Sequence, residues 1–161
     1  YRKIHLFDVE LKSFTFRESD IIQPGESDCI FETEHGSMGL TICFDLRFPE
    51  LYRQEALKGS RVIFVPSAFT MFTGKDHWQP LIQARAIENQ VFIVAANQIG
   101  ASASGLTFYG RSLIVDPWGI TLACAEDKET AIIADLDFDR QAEIRAELPT
   151  LPRVRMKIAS S

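Results

Sequence analysis

The chain has 161 residues, 46% of them apolar and 24% charged, and carries a net charge of −5. That length supports one domain with a real core, and the acidic balance argues against a nucleic-acid partner, because phosphate binding needs a basic face. No apolar stretch approaches the roughly 18 residues that suggest a membrane span, no secretory leader is visible at the start, and Cys29, Cys43 and Cys124 are too few and too widely spaced for a disulfide framework, which indicates a reducing compartment such as the cytoplasm.

In chain order, residues 4–9 read as a strand and residues 12–27, polar with Pro24-Gly25, as a loop. Residues 29–33 alternate and suit a strand, His35-Gly36 makes a turn, and residues 37–43 form the next strand. Pro49 suits the first turn of a helix running through residues 50–57 and stopping near Gly59. Residues 62–65 are a short buried strand, so strand, helix and strand make a βαβ unit. A second helix is expected over residues 80–90, with Leu81, Ala84, Ile87 and Val91 on one stripe and Pro80 as its first residue; a start near Lys75 would leave Pro80 interrupting it. Residues 91–96 read as a strand and residues 100–105 as a small, polar loop. Strands at 111–115 and 120–125 flank the turn Asp116-Pro117-Trp118-Gly119, and residues 130–136 suit another strand. Residues 139–148 form a helix capped by Asp137 or Asp139, and residues 149–161 an extended tail. Alternating β and α elements followed by consecutive strands indicate an α/β layered fold.

Cys43 ends the apolar run Met38-Gly39-Leu40-Thr41-Ile42 and precedes a helix. A thiol at such a turn sits on a rigid support, where a covalent nucleophile is useful. A lone cysteine at a strand end is more often buried structure, and Cys29 and Cys124 read as inert core. Taken alone, Lys3 reads as a strand-edge lysine. His77-Trp78 follows Thr73-Gly74 in an expected loop; Trp78 reads either as pocket wall or as core. Arg47 and Glu50 are expected to pair around the turn. No CxxC, HExxH or paired-His spacing suggests a metal.

Three segments change that reading: residues 1–8, residues 39–50 (Gly39-Leu40-Thr41-Ile42-Cys43-Phe44-Asp45-Leu46-Arg47-Phe48-Pro49-Glu50), and residues 84–89 (Ala84-Arg85-Ala86-Ile87-Glu88-Asn89). Together with the 116–119 turn they resemble the nitrilase, or carbon–nitrogen hydrolase, superfamily, and within it the Nit-type amidases. The resemblance runs from Tyr1 to about Arg155 and implies one hydrolase domain over residues 1–161, an αββα layered sandwich of which this chain holds the C-terminal portion. It implies a Glu-Lys-Cys triad in which Cys43 is the nucleophile and Lys3 the catalytic lysine, with Glu18 as a second, supporting glutamate. The general-base glutamate would lie upstream of Tyr1. Lys3 and the Phe44 backbone N–H would hold the oxyanion, and Phe69, His77 and Trp78 would line the substrate pocket. Gln79 stands where many relatives carry Glu, so no carboxylate role is assigned there.

The implied reaction is hydrolysis of the terminal amide of a small, carboxylate-bearing substrate through a thioester, releasing ammonia, with no metal or cofactor. Deaminated glutathione or the ω-amide of a 2-oxo acid would be the substrate; the Phe48-Pro49-Glu50 and Pro66-Ser67-Ala68-Phe69 segments look more like the first branch. The alternatives are a nitrilase or carbamoyl-amide hydrolase of the same superfamily, or a non-catalytic interaction subunit. Family members usually pair as homodimers or larger homo-oligomers, and residues 50–58, 80–90 and 149–158 are the candidate contacts. No membrane or nucleic-acid partner is implied.

Overall fold

The computed structural model describes residues 1–11, 14–103 and 105–156. Residues 1–7 are irregular; the expected strand at 4–9 begins only with β1 (Asp8–Leu11). β1 pairs antiparallel with β2 (Phe14–Arg17), inside the segment expected to be a loop, and a short 3-10 turn follows at Glu18–Asp20. Thr15 and Phe16 supply β-branched and aromatic side chains that suit a pleated surface, despite the polar surroundings.

β3 (Cys29–Thr33) and β4 (Gly36–Leu40) form a hairpin across the expected turn. The chain then runs through α1 (Pro49–Leu57), β5 (Val62–Phe64), α2 (Met71–Asn89) and β6 (Phe92–Ala95). β4, β5 and β6 are mutually parallel, so α1 and α2 are the crossovers of two consecutive βαβ units. β7 (Ile99–Ala101) and β8 (Thr107–Tyr109) make a second small ribbon where a loop was expected. β9 (Leu113–Val115) and β10 (Thr121–Cys124) flank the 116–119 turn, in which Asp116 Oδ1 accepts from the N–H groups of Trp118 and Ile120 at 2.9 and 2.8 Å. Six of these strands form one mixed sheet in the order β10-β9-β6-β5-β4-β3. Residues 130–136, expected as a strand, have no regular structure, although exposed Ala131, Ile133 and Asp135 alternate with half-buried Ile132, Ala134 and Leu136.

Pairing in register puts Gly39, Ile63, Ile93 and Val115 on one face of the sheet. The helices cover that face: Leu51, Tyr52 and Ala56 of α1 and Trp78, Ile82 and Ala86 of α2 join Ile63, Ile93 and Val115 in the core. α3 (Phe138–Glu147) is capped by Asp137, whose carboxylate accepts from Arg140 N–H at 2.8 Å. It packs edge-on through Phe138 against Phe92 of β6. The segment beyond it makes a 3-10 turn at Leu151–Arg153; residues 157–161 of the expected tail lie outside the described residues. Among the described residues no helix is long and apolar enough to cross a membrane.

α2 departs most from the expected pattern. It starts at Met71, nine residues before Pro80, and buries Gly74, Trp78, Ile82, Arg85, Ala86 and Asn89; of the expected Leu81-Ala84-Ile87-Val91 stripe, Val91 is buried just past the helix and Leu81 packs against the core, while Ile87 is exposed. Pro80 is tolerated because it and Asp76, whose carbonyl loses its partner, both lie on the exposed side. Gly74 faces β8 so closely that an added Cβ would lie 2.3 Å from the Tyr109 Cβ. Overpacking of this kind costs about 1–3 kcal/mol, against a gain of about 1 kcal/mol in helix preference. Gly74→Ala is therefore expected to lower the stability measured by urea denaturation, although alanine is the better helix former.

Candidate active site

The C-terminal ends of the parallel strands β4, β5 and β6 all open on one side of the sheet, where α/β folds bind ligands. A cavity of about 720 Å³ sits there. Cys43 follows β4, Pro66, Ser67 and Ala68 follow β5, and Ala96, Asn97 and Gln98 follow β6; all line it. Lys3 and Glu18 close it from the N-terminal segment, and Phe7, Phe16, Leu106 and Phe108 give it apolar walls.

The nucleophile candidate does not end the strand, as expected; β4 stops at Leu40. Thr41 and Ile42 continue in extended form, with Thr41 N–H donating to Phe64 O at 3.0 Å, and Cys43 opens a five-residue 3-10 helix, Cys43–Arg47. Cys43 has φ +48°, the left-handed region that costs a non-glycine residue energy. Its own N–H donates to Pro66 O at 3.0 Å, which ties the turn to the end of β5. The Phe44 N–H lies in the first turn of this helix, where backbone donors have no intrahelical partner, and it has none among the described residues.

Lys3 is 6% exposed, far from an edge lysine in water. Its ammonium donates to Glu18 Oε2, and the same oxygen accepts the Phe7 N–H at 2.7 Å. Glu18 is the one carboxylate lining the cavity among the described residues. Burial pushes the Cys43 thiol pKa above its ordinary value; a hydrogen bond from the Ala68 N–H and the charge of Lys3 oppose that rise, Glu18 adds to it, and Arg47 opposes it.

The other expected pocket residues are placed differently. Phe69 is buried, and its ring helps line a small recess beside Cys43 with Phe44, Arg47, Thr70 and Thr73. Trp78 lies in α2, not in a loop; it is fully buried, packs against Phe69 with ring centroids 4.9 Å apart, and donates its Nε1–H to Arg111 O at 2.7 Å. It is core, not part of the main cavity's wall. His77 is exposed on the same helix, 3.3 Å from Arg47 through Nδ1, and does not line the cavity. Arg47 does not pair with Glu50 among the described residues; its guanidinium instead lies over the rings of Phe44 and Phe69.

Two residues that sequence reasoning missed organise this end of the sheet. Asn97 is buried; its Oδ1 accepts Phe69 N–H at 2.9 Å and its Nδ2 donates to Gly110 O at 2.6 Å, binding together the segments that follow β5, β6 and β8. The signal was a polar pair, Asn97-Gln98, directly after the apolar run of a parallel strand. The second is Asp45, fully buried two residues beyond Cys43. Among the described residues there is no group of three or more His, Cys, Asp or Glu side chains placed to hold a metal ion.

Residues 1–146 match the family model of the carbon–nitrogen hydrolases. The chain is 44% identical over 154 residues to a deaminated glutathione amidase of Synechocystis sp. (strain PCC 6803 / GT-S), covering 94% of this chain and 57% of that protein. It is 40% identical over 156 residues to the omega-amidase NIT2 of Mus musculus, covering 96% and 56%. The crystal structure of the C. elegans NitFhit protein superimposes with a TM-score of 0.90 at 38% identity, over 96% of this chain and 38% of that one. The chain thus spans a little over half the length of the curated relatives it matches.

Proposed function

The chain belongs to the carbon–nitrogen hydrolase family, and from that premise we propose that it works as a cysteine amidase, cleaving the terminal amide of a small carboxylate-bearing compound. The observation that carries this reading is one cavity shared by Cys43, on a strained turn, and the buried ammonium of Lys3, held by Glu18. Cys43, at φ +48°, lines the cavity from a turn between strand and helix, the setting in which covalent nucleophiles are held.

In this mechanism a general base takes the Cys43 proton as sulfur attacks the amide carbon. The oxygen of the tetrahedral intermediate gains negative charge and is met by the Lys3 ammonium and the Phe44 N–H, two donors that need no reorganisation when the charge develops. The C–N bond breaks, nitrogen takes up the proton and leaves as ammonia, and an acyl thioester remains on Cys43. Water then adds to the thioester, the acid departs, and the proton returns to sulfur. Glu18, which receives both Lys3 and the Phe7 N–H, serves to hold the cation in place. Phe69 acts from beside the nucleophile by shaping the recess under Arg47, and Trp78 acts only as the support behind Phe69.

Amidase-named relatives on both branches support a small acid amide as substrate, with deaminated glutathione preferred to an ω-amide of a 2-oxo acid. The exposed apolar side chains Leu57, Ile87, Leu148 and Val154 fall in or beside the three segments considered for self-association, which supports a homodimer. The deciding assay measures ammonia release by the full-length protein from deaminated glutathione and from 2-oxoglutaramate side by side. Faster release from the first is expected. Release from neither, with Cys43 still trapped by an electrophile, would sink the substrate class and leave the nucleophile standing.

A further inference from the structure

Lys3 must present a buried ammonium to the Cys43 cavity, yet residues 1–7 belong to no strand or helix. Glu18 fixes the end of the side chain; something else must fix the backbone. Both flanking residues supply the answer. The Tyr1 hydroxyl donates to Asp45 Oδ2 at 2.7 Å, and the His5 N–H donates to Asp45 Oδ1 at 2.9 Å, with His5 Nδ1 2.8 Å from the same oxygen. The His5 ring also stacks on Phe48, with centroids 3.6 Å apart. On its other side Asp45 Oδ2 accepts the Ile42 N–H at 2.9 Å, from the residue directly before Cys43.

We propose that Asp45 is a positioning residue for catalysis: its one carboxylate clamps the segment carrying Lys3, on both sides of Lys3, to the turn carrying Cys43. This rests on the reading of Cys43 as nucleophile and Lys3 as its cation. The chemistry of the group fits the task. Four donors converge on two oxygens of a fully buried side chain, and only an acceptor-only group satisfies them all. An asparagine there would set its NH₂ against a backbone N–H whichever way the amide were turned, that of His5 at one oxygen position or that of Ile42 at the other, so Asp45→Asn breaks one arm of the clamp at nearly constant volume.

The test reads the rate at which iodoacetamide alkylates Cys43, followed on its own peptide by mass spectrometry, in the full-length protein. In the wild-type background Asp45→Asn is expected to slow alkylation and kcat by about tenfold or more while KM stays within about twofold, because the interaction lost acts on the reacting sulfur and not on substrate binding. In a Lys3→Ala background the same substitution is expected to change alkylation by less than about twofold, since the cation it positions is already gone. Tyr1→Phe, which leaves the nucleophile turn untouched, should show the same dependence on Lys3 with a smaller effect, and it decides the matter if Asp45→Asn fails to fold. Equal slowing in both backgrounds, or alkylation at the wild-type rate with only the melting temperature lowered, overturns the proposal. Alkylation requires no substrate, so a wrong amide does not affect the outcome.

Discussion

Cys43→Ala is expected to reduce ammonia release by about 10⁴-fold or more, the loss typical of a removed nucleophile, while the protein melts within a few degrees of wild type. The two halves of this result follow from different facts. Catalysis is lost because the thioester needs the sulfur, and no other cysteine lines the cavity among the described residues. The fold survives because alanine, like cysteine, is a non-glycine residue at φ +48° and the anchoring bond from residue 43 to Pro66 O is made by the backbone. The thiol also carries a pH signature. Burial, the largest influence, raises its pKa, so alkylation of the free enzyme should climb with pH and level off only above the range of an ordinary thiol. Lys3→Ala removes one of the influences opposing that rise and should shift the curve further to high pH. Turnover retained in Cys43→Ala would end the nucleophile assignment; a curve unmoved by Lys3→Ala would end the electrostatic role of the lysine.

The parts of this molecule that could be read from its sequence are those in which local chemistry and tertiary structure agree. Pro49 at the start of α1, Asp137 as the cap of α3 and the 116–119 turn each satisfy backbone geometry within a few residues, and all three stand where the pattern put them. Pro80 misled because the sequence does not show that its side of α2 faces water, where the freed Asp76 carbonyl has no need of a protein partner. The stripe Leu81-Ala84-Ile87-Val91 misled in part: Val91 is buried and Leu81 packs against the core, but Ile87 is exposed, and α2 turns its small Gly74 and its polar Arg85 and Asn89 inward, where Arg85 Nε donates to Leu46 O at 3.1 Å and Asn89 Nδ2 to Arg85 O at 3.0 Å. Residues 4–9 look like a strand in composition, but residues 1–7 spend their donors on Asp45 and Glu18. Within the site, motif resemblance singled out Lys3, Glu18 and Cys43, which do share one cavity. It left Trp78 open between pocket wall and core, which its full burial decides for core, and it did not point to Asp45 as the link between the segments carrying Lys3 and Cys43, since a long-range hydrogen bond leaves no local trace.

Glu55→Gln is expected to stabilise the protein at neutral and higher pH and to destabilise it slightly near pH 4. Glu55 lies on the inner side of α1, fully buried, and neither of its carboxyl oxygens has a hydrogen-bond partner among the described residues. It fits there only because Gly39 of β4 has no side chain; a Cβ at that position would lie 2.1 Å from Oε2. Burial, reinforced by the charges of Asp28 and Asp45, pushes its pKa up to about 9; the nearby Leu40 backbone dipole, which makes no hydrogen bond to it, and the charge of Lys58 oppose that rise. The unfolded chain releases this proton near its ordinary value of 4.5, so across the interval from about 4.5 to about 9 the folded state holds one more proton than the unfolded state. Stability contributed by this side chain therefore falls as pH rises through that window and is constant beyond it. At pH 7 the gap corresponds to about 3 kcal/mol, at about 1.36 kcal/mol per pH unit. Glutamine has no proton to take up, so it removes this cost, but its NH₂ must be buried at a cost of about 1–3 kcal/mol, which is all that remains near pH 4. Urea denaturation of both proteins across this range should give curves that cross, the variant being the more stable on the alkaline side. Parallel curves would mean that Glu55 is ionised in the folded protein, with a partner that compensates its burial.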